Sequence, residues 1–186
     1  MGKMITEMIS DGPLLHKLII CLSGQHEMTE EFTGYRGFFT LNGIPKPIYH
    51  AFRLCRKMGE QTINATTDHR DLSVLATNDN GKLAILLAYA QENFNEEYPD
   101  LKDTLTIDGL HGDYTVTVSK IDRNHACPYT TFIGEQMPDI PTEEQRAELM
   151  QLAELKPETF SITADGTAEL PISCTTNALI LIEISK

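Results

Sequence analysis

Apolar residues recur along this chain at two periods, and the change from one to the other falls near residue 60. Leu14, Leu15, Leu18, Ile19 and Leu22 follow Asp11-Gly12-Pro13 at near-helical spacing. That spacing predicts an amphipathic helix with proline in its first turn, ended by Ser23 and Gly24. Ile48, Ala51, Phe52, Leu54, Cys55 and Met58 make a second stripe of the same period behind Pro45 and Pro47, closed by Lys57 and Gly59. Between the two, Phe32 to Leu41 is rich in glycine and aromatics and reads as a loop or short strand.

Beyond residue 60 the period shortens to two. Leu72 to Ala76 and Lys82 to Ala90 are β-favouring runs on either side of Asn78-Asp79-Asn80-Gly81, where Asn80-Gly81 can supply the positive φ angles of a type I′ hairpin. Leu105 to Ile107 and Tyr114 to Ile121 follow; the second alternates Tyr114, Val116, Val118 against Thr115, Thr117, Ser119, one face for the core and one for water. Thr142 to Leu155 predicts a helix, with Thr142 as N-cap and Gln145 at the capping-box position. A last hairpin is predicted from Phe160 to Ile172, turning at Asp165-Gly166, before a final strand at Leu179 to Ile184. About seven short strands separated by turn signals predict a mainly β chain: an antiparallel β-sandwich over residues 61–186, preceded by a helical segment over 1–60.

Composition narrows the partners. The 186 residues carry 27 acidic and 15 basic side chains, a formal net charge of −12. A nucleic acid or an anionic membrane would be repelled, and no basic patch offsets the repulsion. No apolar run nears the roughly 20 residues that cross a bilayer, and Met1 to Ser10 lacks the apolar core of a secretory signal, so the expected location is cytoplasmic. Cys21, Cys55, Cys127 and Cys174 are scattered, with no C-x-x-C pair, and are expected to be free thiols. His26-Glu27-Met28-Thr29-Glu30 approaches a zincin helix, but Glu30 stands where the second histidine belongs. Neither a metal nor another cofactor is expected.

One stretch is distinctive: Gly34-Tyr35-Arg36-Gly37-Phe38-Phe39-Thr40-Leu41-Asn42-Gly43-Ile44-Pro45-Lys46-Pro47-Ile48-Tyr49-His50-Ala51-Phe52-Arg53-Leu54. It resembles the end of the catalytic barrel in family 39 glycoside hydrolases, the β-xylosidases, with Gly-Ile-Pro-Lys-Pro-x-Tyr-His-Ala-Phe as its most specific part. A second match lies downstream. Lys120 to Thr130 is similar to the family's Ile-Asp-x-x-His-(Ser/Ala)-Asn-(Pro/Ala)-Tyr segment, and Pro141-Thr142-Glu143-Glu144-Gln145 to its Pro-Thr-x-Glu-Gln helix. The resemblance implies that residues 1–60 are a remnant of the last barrel β/α units and that 61–186 are the C-terminal sandwich that accompanies the barrel.

The resemblance also implies what this chain lacks. A retaining glycosidase needs two carboxyl groups about 5 to 5.5 Å apart. In the family both catalytic glutamates precede the segments matched here, and two of eight strands cannot close a barrel. The chain is therefore expected to be non-catalytic by itself, an accessory with a structural or assembly role, or alternatively a stand-alone carbohydrate- or protein-binding module. Glu30 and Glu31 align with a Glu-Glu pair that faces the sugar in the family and are the candidate contacts for a xylose-type saccharide, with a solvated acidic turn of Glu27, Glu30 and Glu31 the plainer expectation. Three further groups attract attention. Tyr114, Tyr129 and Phe132 could stack on a sugar, with core packing the plainer expectation. Asp122, Arg123 and His125 have catalytic residue types but are expected to fix their own loop by hydrogen bonds. Asn64-Ala65-Thr66 matches a glycosylation acceptor, without meaning in a cytoplasmic chain. Finally, Ile19, Ile20, Leu22, Phe38, Phe39, Ile48, Phe52 and Cys55 exceed what two helices and a loop can cover, so packing on the chain's own sandwich, on a missing barrel or on a second copy in a homo-oligomer is expected, the second copy being favoured over the sandwich.

Overall fold

The structure, a computed structural model, describes residues 29–34, 37–91 and 98–186. The helix expected over Leu14 to Leu22, the histidine motif at His26, Cys21, and Ile19, Ile20 and Leu22 lie outside them. The described chain is mainly β. After helix α1 (Pro47–Cys55) come β1 (Thr62–Ile63), β2 (Leu72–Asp79), β3 (Lys82–Tyr89) and β4 (Leu101–Ile121), then α2 (Pro128–Gly134), α3 (Glu143–Leu152), β5 (Glu158–Cys174) and β6 (Ala178–Ser185). All pairings are antiparallel, in the order β1-β2-β3-β6-β4-β5.

The β2–β3 hairpin turns where its sequence says, with Asn80 at φ 53° and Gly81 at φ 82°. Asn78 Oδ1 accepts the Gly81 N–H at 3.1 Å. The long strands differ from expectation. Leu105 to Ile107 and Tyr114 to Ile121 are parts of one strand, β4, and the hairpin expected around Asp165-Gly166 does not exist: both flanks belong to β5. Gly166 does adopt a positive φ, 101°, but it lies opposite Leu110, next to a bulge between Asp108 and Leu110 and near Gly112, also at 101°. In paired strands such angles bend the ribbon instead of reversing one chain.

The bend makes the sandwich. Beyond it, the first half of β4 and the second half of β5 fold back over the sheet. Leu101, Ile107, Leu170, Ile172 and Cys174 thereby pack on Leu72, Ile85, Leu87, Ile180 and Ile182 in one buried core. The fold-back is tied down where the ribbon returns to the far end of β4. Thr175 N–H donates to Asp122 Oδ2 at 3.2 Å and Tyr89 O–H donates to the Pro99 carbonyl at 2.9 Å.

The other face of the sheet is covered by α1. Ala51 and Leu54 sit on Leu75, Ala84, Leu86, Ala88, Ile121, Leu179 and Leu181. Coverage on both faces explains why β3 is buried from Leu83 to Tyr89 without alternation, and why Ser119, on the face expected to be wet, is fully buried. Lys57, just past α1, reaches Glu183 Oε2 at 2.6 Å, and Lys82 lies 3.7 Å from the other oxygen.

A satellite core lies in the connection between β4 and β5. Phe132 and Met137 from the α2 segment, Leu149 and Ala153 from the α3 segment, and Ile44 from the N-terminal part pack together, with Phe32 beside them. Helix α3 has the expected capping box: Thr142 Oγ1 accepts Gln145 N–H at 3.3 Å and Gln145 Oε1 accepts Thr142 N–H at 2.9 Å. Helix α2 was not anticipated, being a short turn behind Pro128 that buries only Pro128 and Phe132.

Candidate functional site

The segment from Thr29 to Gly34 turns twice through left-handed backbone, Thr29 at φ 78° and Phe32 at φ 55°, and the bulky Phe32 is held there against its preference. Its anchor is Glu31, whose N–H donates to the Asp139 carbonyl at 3.0 Å. The Glu31 side chain is 3% exposed. Oε1 accepts the Asn42 backbone N–H at 2.9 Å and its Nδ2–H at 2.6 Å, while Oε2 has no hydrogen-bond partner among the described residues. Glu30 is exposed. The two glutamates therefore face different surroundings, one solvent and one the protein interior.

Next to this turn lies a cleft of about 260 Å³ lined by Phe32, Gly34, Lys46, Pro47, Cys127 and Tyr129. Its ends are the starts of α1 and α2, both of which begin with proline. Phe32 stacks obliquely on Tyr129 at 5.6 Å and on Phe132 at 4.9 Å between centroids, leaving Tyr129 as the exposed ring on the rim at 47%. A half-open, mostly apolar wall with the exposed Tyr129 ring on its rim is suited to the flat face of an amphipathic ring. The three aromatics considered for sugar stacking are not one surface. Tyr129 lines the cleft, Phe132 is in the satellite core, and Tyr114 lies on β4 beneath Lys186 Nζ, 5.7 Å from its ring centroid.

Asp122 and His125 form a loop lock, as their spacing suggested. Asp122 is buried; its Oδ1 accepts Asn124 N–H at 2.9 Å and His125 Nδ1–H at 2.6 Å. Burial works to raise the Asp122 pKa, but bonds from His125, Asn124 and Thr175 hold it below the ordinary carboxylate value. Arg123 contributes backbone only: its N–H donates to Thr175 Oγ1 and its carbonyl accepts Thr130 O–H. His50, within α1, is 3% exposed. Burial pushes its pKa down, and Arg53 adds to that push. Cys55, Cys127 and Cys174 are free thiols, and among the described residues no group of three or more His, Cys, Asp or Glu gathers as a metal site. No helix among them is long and apolar enough to cross a membrane.

On its far side α1 carries a half-buried aromatic patch. Phe38 meets Phe52 at 5.5 Å and Phe39 meets Tyr49 at 5.0 Å, with the Arg53 guanidinium 5.7 Å above the Tyr49 ring. The cleft was missed in the sequence because its walls come from three distant segments. The paired Pro starts at Pro47 and Pro128 were the only local hint.

A two-layer antiparallel region with a helix docked on its outer face matches the architecture of solved glycoside hydrolases. The chain superposes on the crystal structure of the GH39 enzyme from Xanthomonas axonopodis pv. citri with a TM-score of 0.71 and 20% identity, over 84% of this chain and 33% of that one. On a monomeric beta-xylosidase from Caulobacter crescentus CB15 the score is 0.67 at 20% identity, over 84% and 34%. The sequence model of Glycosyl hydrolases family 39 matches residues 18–169, and the chain belongs to that family. A beta-xylosidase from Caldicellulosiruptor saccharolyticus is 26% identical over 131 residues, 70% of this chain and 27% of that protein. The chain thus spans about a third or less of the length of the relatives it matches.

Proposed function

We propose that this chain is the C-terminal accessory portion of a β-xylosidase-like glycoside hydrolase, non-catalytic by itself, with a structural or assembly role in xylan-derived sugar metabolism in the cytoplasm. The observation that carries this reading is the two-sided use of α1. Its inner side, Ala51 and Leu54, is sealed on the sheet, while Phe38, Phe39, Tyr49 and Phe52 on the other side remain half-buried, a surface fitted to a barrel or to a second subunit. Glu30, exposed at the turn beside the Tyr129 cleft, is the proposed contact to a xylose-type saccharide, and the buried Glu31 is proposed to hold the turn that presents it.

The cleft also supports a second reading, a stand-alone carbohydrate-binding module. Titration of the chain with xylobiose, followed by amide NMR, separates the two. The accessory reading expects at most millimolar binding confined to the turn at Glu30. Micromolar binding that is lost on Tyr129→Ala would replace it with the module.

A further inference from the structure

Among the described residues strand β5 ends the sheet, and along its 17 residues it pairs with β4 alone. An unpaired edge of that length presents a row of free N–H and C=O groups that natural proteins blunt with proline, lysine or a cover. The second half is blunted: Pro171 sits in the ladder opposite Thr104, a place open to proline when its nitrogen faces away from β4. The first half is not. Glu158, Thr159, Phe160 and Ser161 are exposed, and no proline, lysine or arginine occurs from Glu158 to Leu170. Phe160 is 42% exposed.

A cavity of about 300 Å³ opens beside this edge, between the layers, where the two-stranded upper layer leaves the lower one incompletely covered. Its apolar walls include Val118, Phe160, Leu170, Ile172 and Ile180, and its charged lining residues are one base, Lys120, and one acid, Glu158, so the cavity itself takes apolar side chains and the net acidity lies along the strand. A strand laid along Glu158 to Ala164 would extend the lower layer, and its inward row of side chains, every second residue, would enter that cavity. Charge selects the strand. β5 carries Glu158, Asp165 and Glu169 and no basic residue, on a chain of net charge −12. A second copy of β5 would set acid against acid, whereas a cationic strand is attracted.

We propose that the free edge of β5 from Glu158 to Ala164 takes an extended, lysine-bearing peptide whose alternate apolar side chains fill the adjoining cavity. The test uses the full chain and the fluorescent peptide acetyl-KVKIKVK-amide, with acetyl-KVKPKVK-amide and acetyl-EVEIEVE-amide as comparisons, read by anisotropy and amide hydrogen exchange. Saturable binding is expected, at least tenfold weaker for both comparison peptides, with exchange slowed at Thr159, Ser161 and Thr163. Ser161 is an even number of residues from Pro171 on an unshifted strand, so its N–H points to the free edge. Ser161→Pro should therefore keep the fold by circular dichroism and weaken binding at least tenfold. Should Ser161→Pro misfold, Phe160→Lys is expected to weaken binding similarly by closing the cavity mouth with a like charge. Equal affinity for the proline peptide, or binding unchanged by both substitutions, would overturn the proposal. So would a chain dimer in light scattering that Ser161→Pro dissolves, since the occupant would then be a second copy.

Discussion

Replacing Leu54 by alanine tests whether α1 is part of the folded β unit or merely precedes it. Leu54 is fully buried between the helix and the outer face of the sheet, among Leu75, Leu86, Leu179 and Leu181, with the small Ala84 and Ala88 allowing close approach. The substitution removes three carbons, worth about 2.4 kcal/mol at roughly 0.8 kcal/mol per buried methylene. It also leaves a cavity that strands on a two-sided sheet cannot collapse to fill, so the expected loss is about 3 to 4 kcal/mol. For a chain of this size that lowers the melting temperature by about 8 to 12 °C. Urea unfolding followed by tryptophan-free far-UV circular dichroism should show one transition, shifted to a lower midpoint with unchanged slope. A loss below about 1 kcal/mol, or a sandwich transition that keeps its midpoint while a separate helical one moves, would refute the argument that the helix seals the outer face.

Four further outcomes are expected. Asp122→Ala should cost about 1 to 3 kcal/mol in urea unfolding at neutral pH, because three N–H donors lose a buried acceptor. The lowered pKa of Asp122 means its stabilisation is complete above the unfolded carboxylate value, about 3.9, and is lost as pH falls through the folded value; Asp122→Asn should remove that part of the acid dependence of stability. Gly166→Val should cost about 2 to 3 kcal/mol by forcing a β-branched residue into φ 101° at the bend, whereas Gly134→Val, with open space and no positive φ, should cost less than 1.5, both read from urea midpoints. Cys174, its thiol pushed up to about 11 first by burial and then by Asp122, should resist an aromatic disulfide reagent at pH 8 until the chain is unfolded, and prompt reaction in the native state would contradict its placement.

Features built within a few residues were legible in the sequence. The Asn80-Gly81 turn and the Thr142–Gln145 capping box each depend on contacts no more than three residues apart, and both formed as their residue types dictate. Asp122 and His125 belong with these. The failures involve partners far along the chain. Asp165-Gly166 has the composition of a hairpin turn, and nothing local tells a turn from a bend; the difference lies in Leu110 and Gly112 on the neighbouring strand, more than 50 positions earlier. The depth of Glu31 was equally hidden, since it is set by Asn42 and by the Asp139 carbonyl, not by Glu30 beside it. Helix α2 escaped because it has no apolar stripe, only Pro128 and Phe132 turned inward.

The most direct test of the account is turnover of 4-nitrophenyl β-xyloside by the purified chain. The accessory reading predicts no release of nitrophenol above the buffer rate, for the chain as it stands and for Glu30→Gln and Glu31→Gln alike. Measurable turnover that disappears in either variant would contradict it.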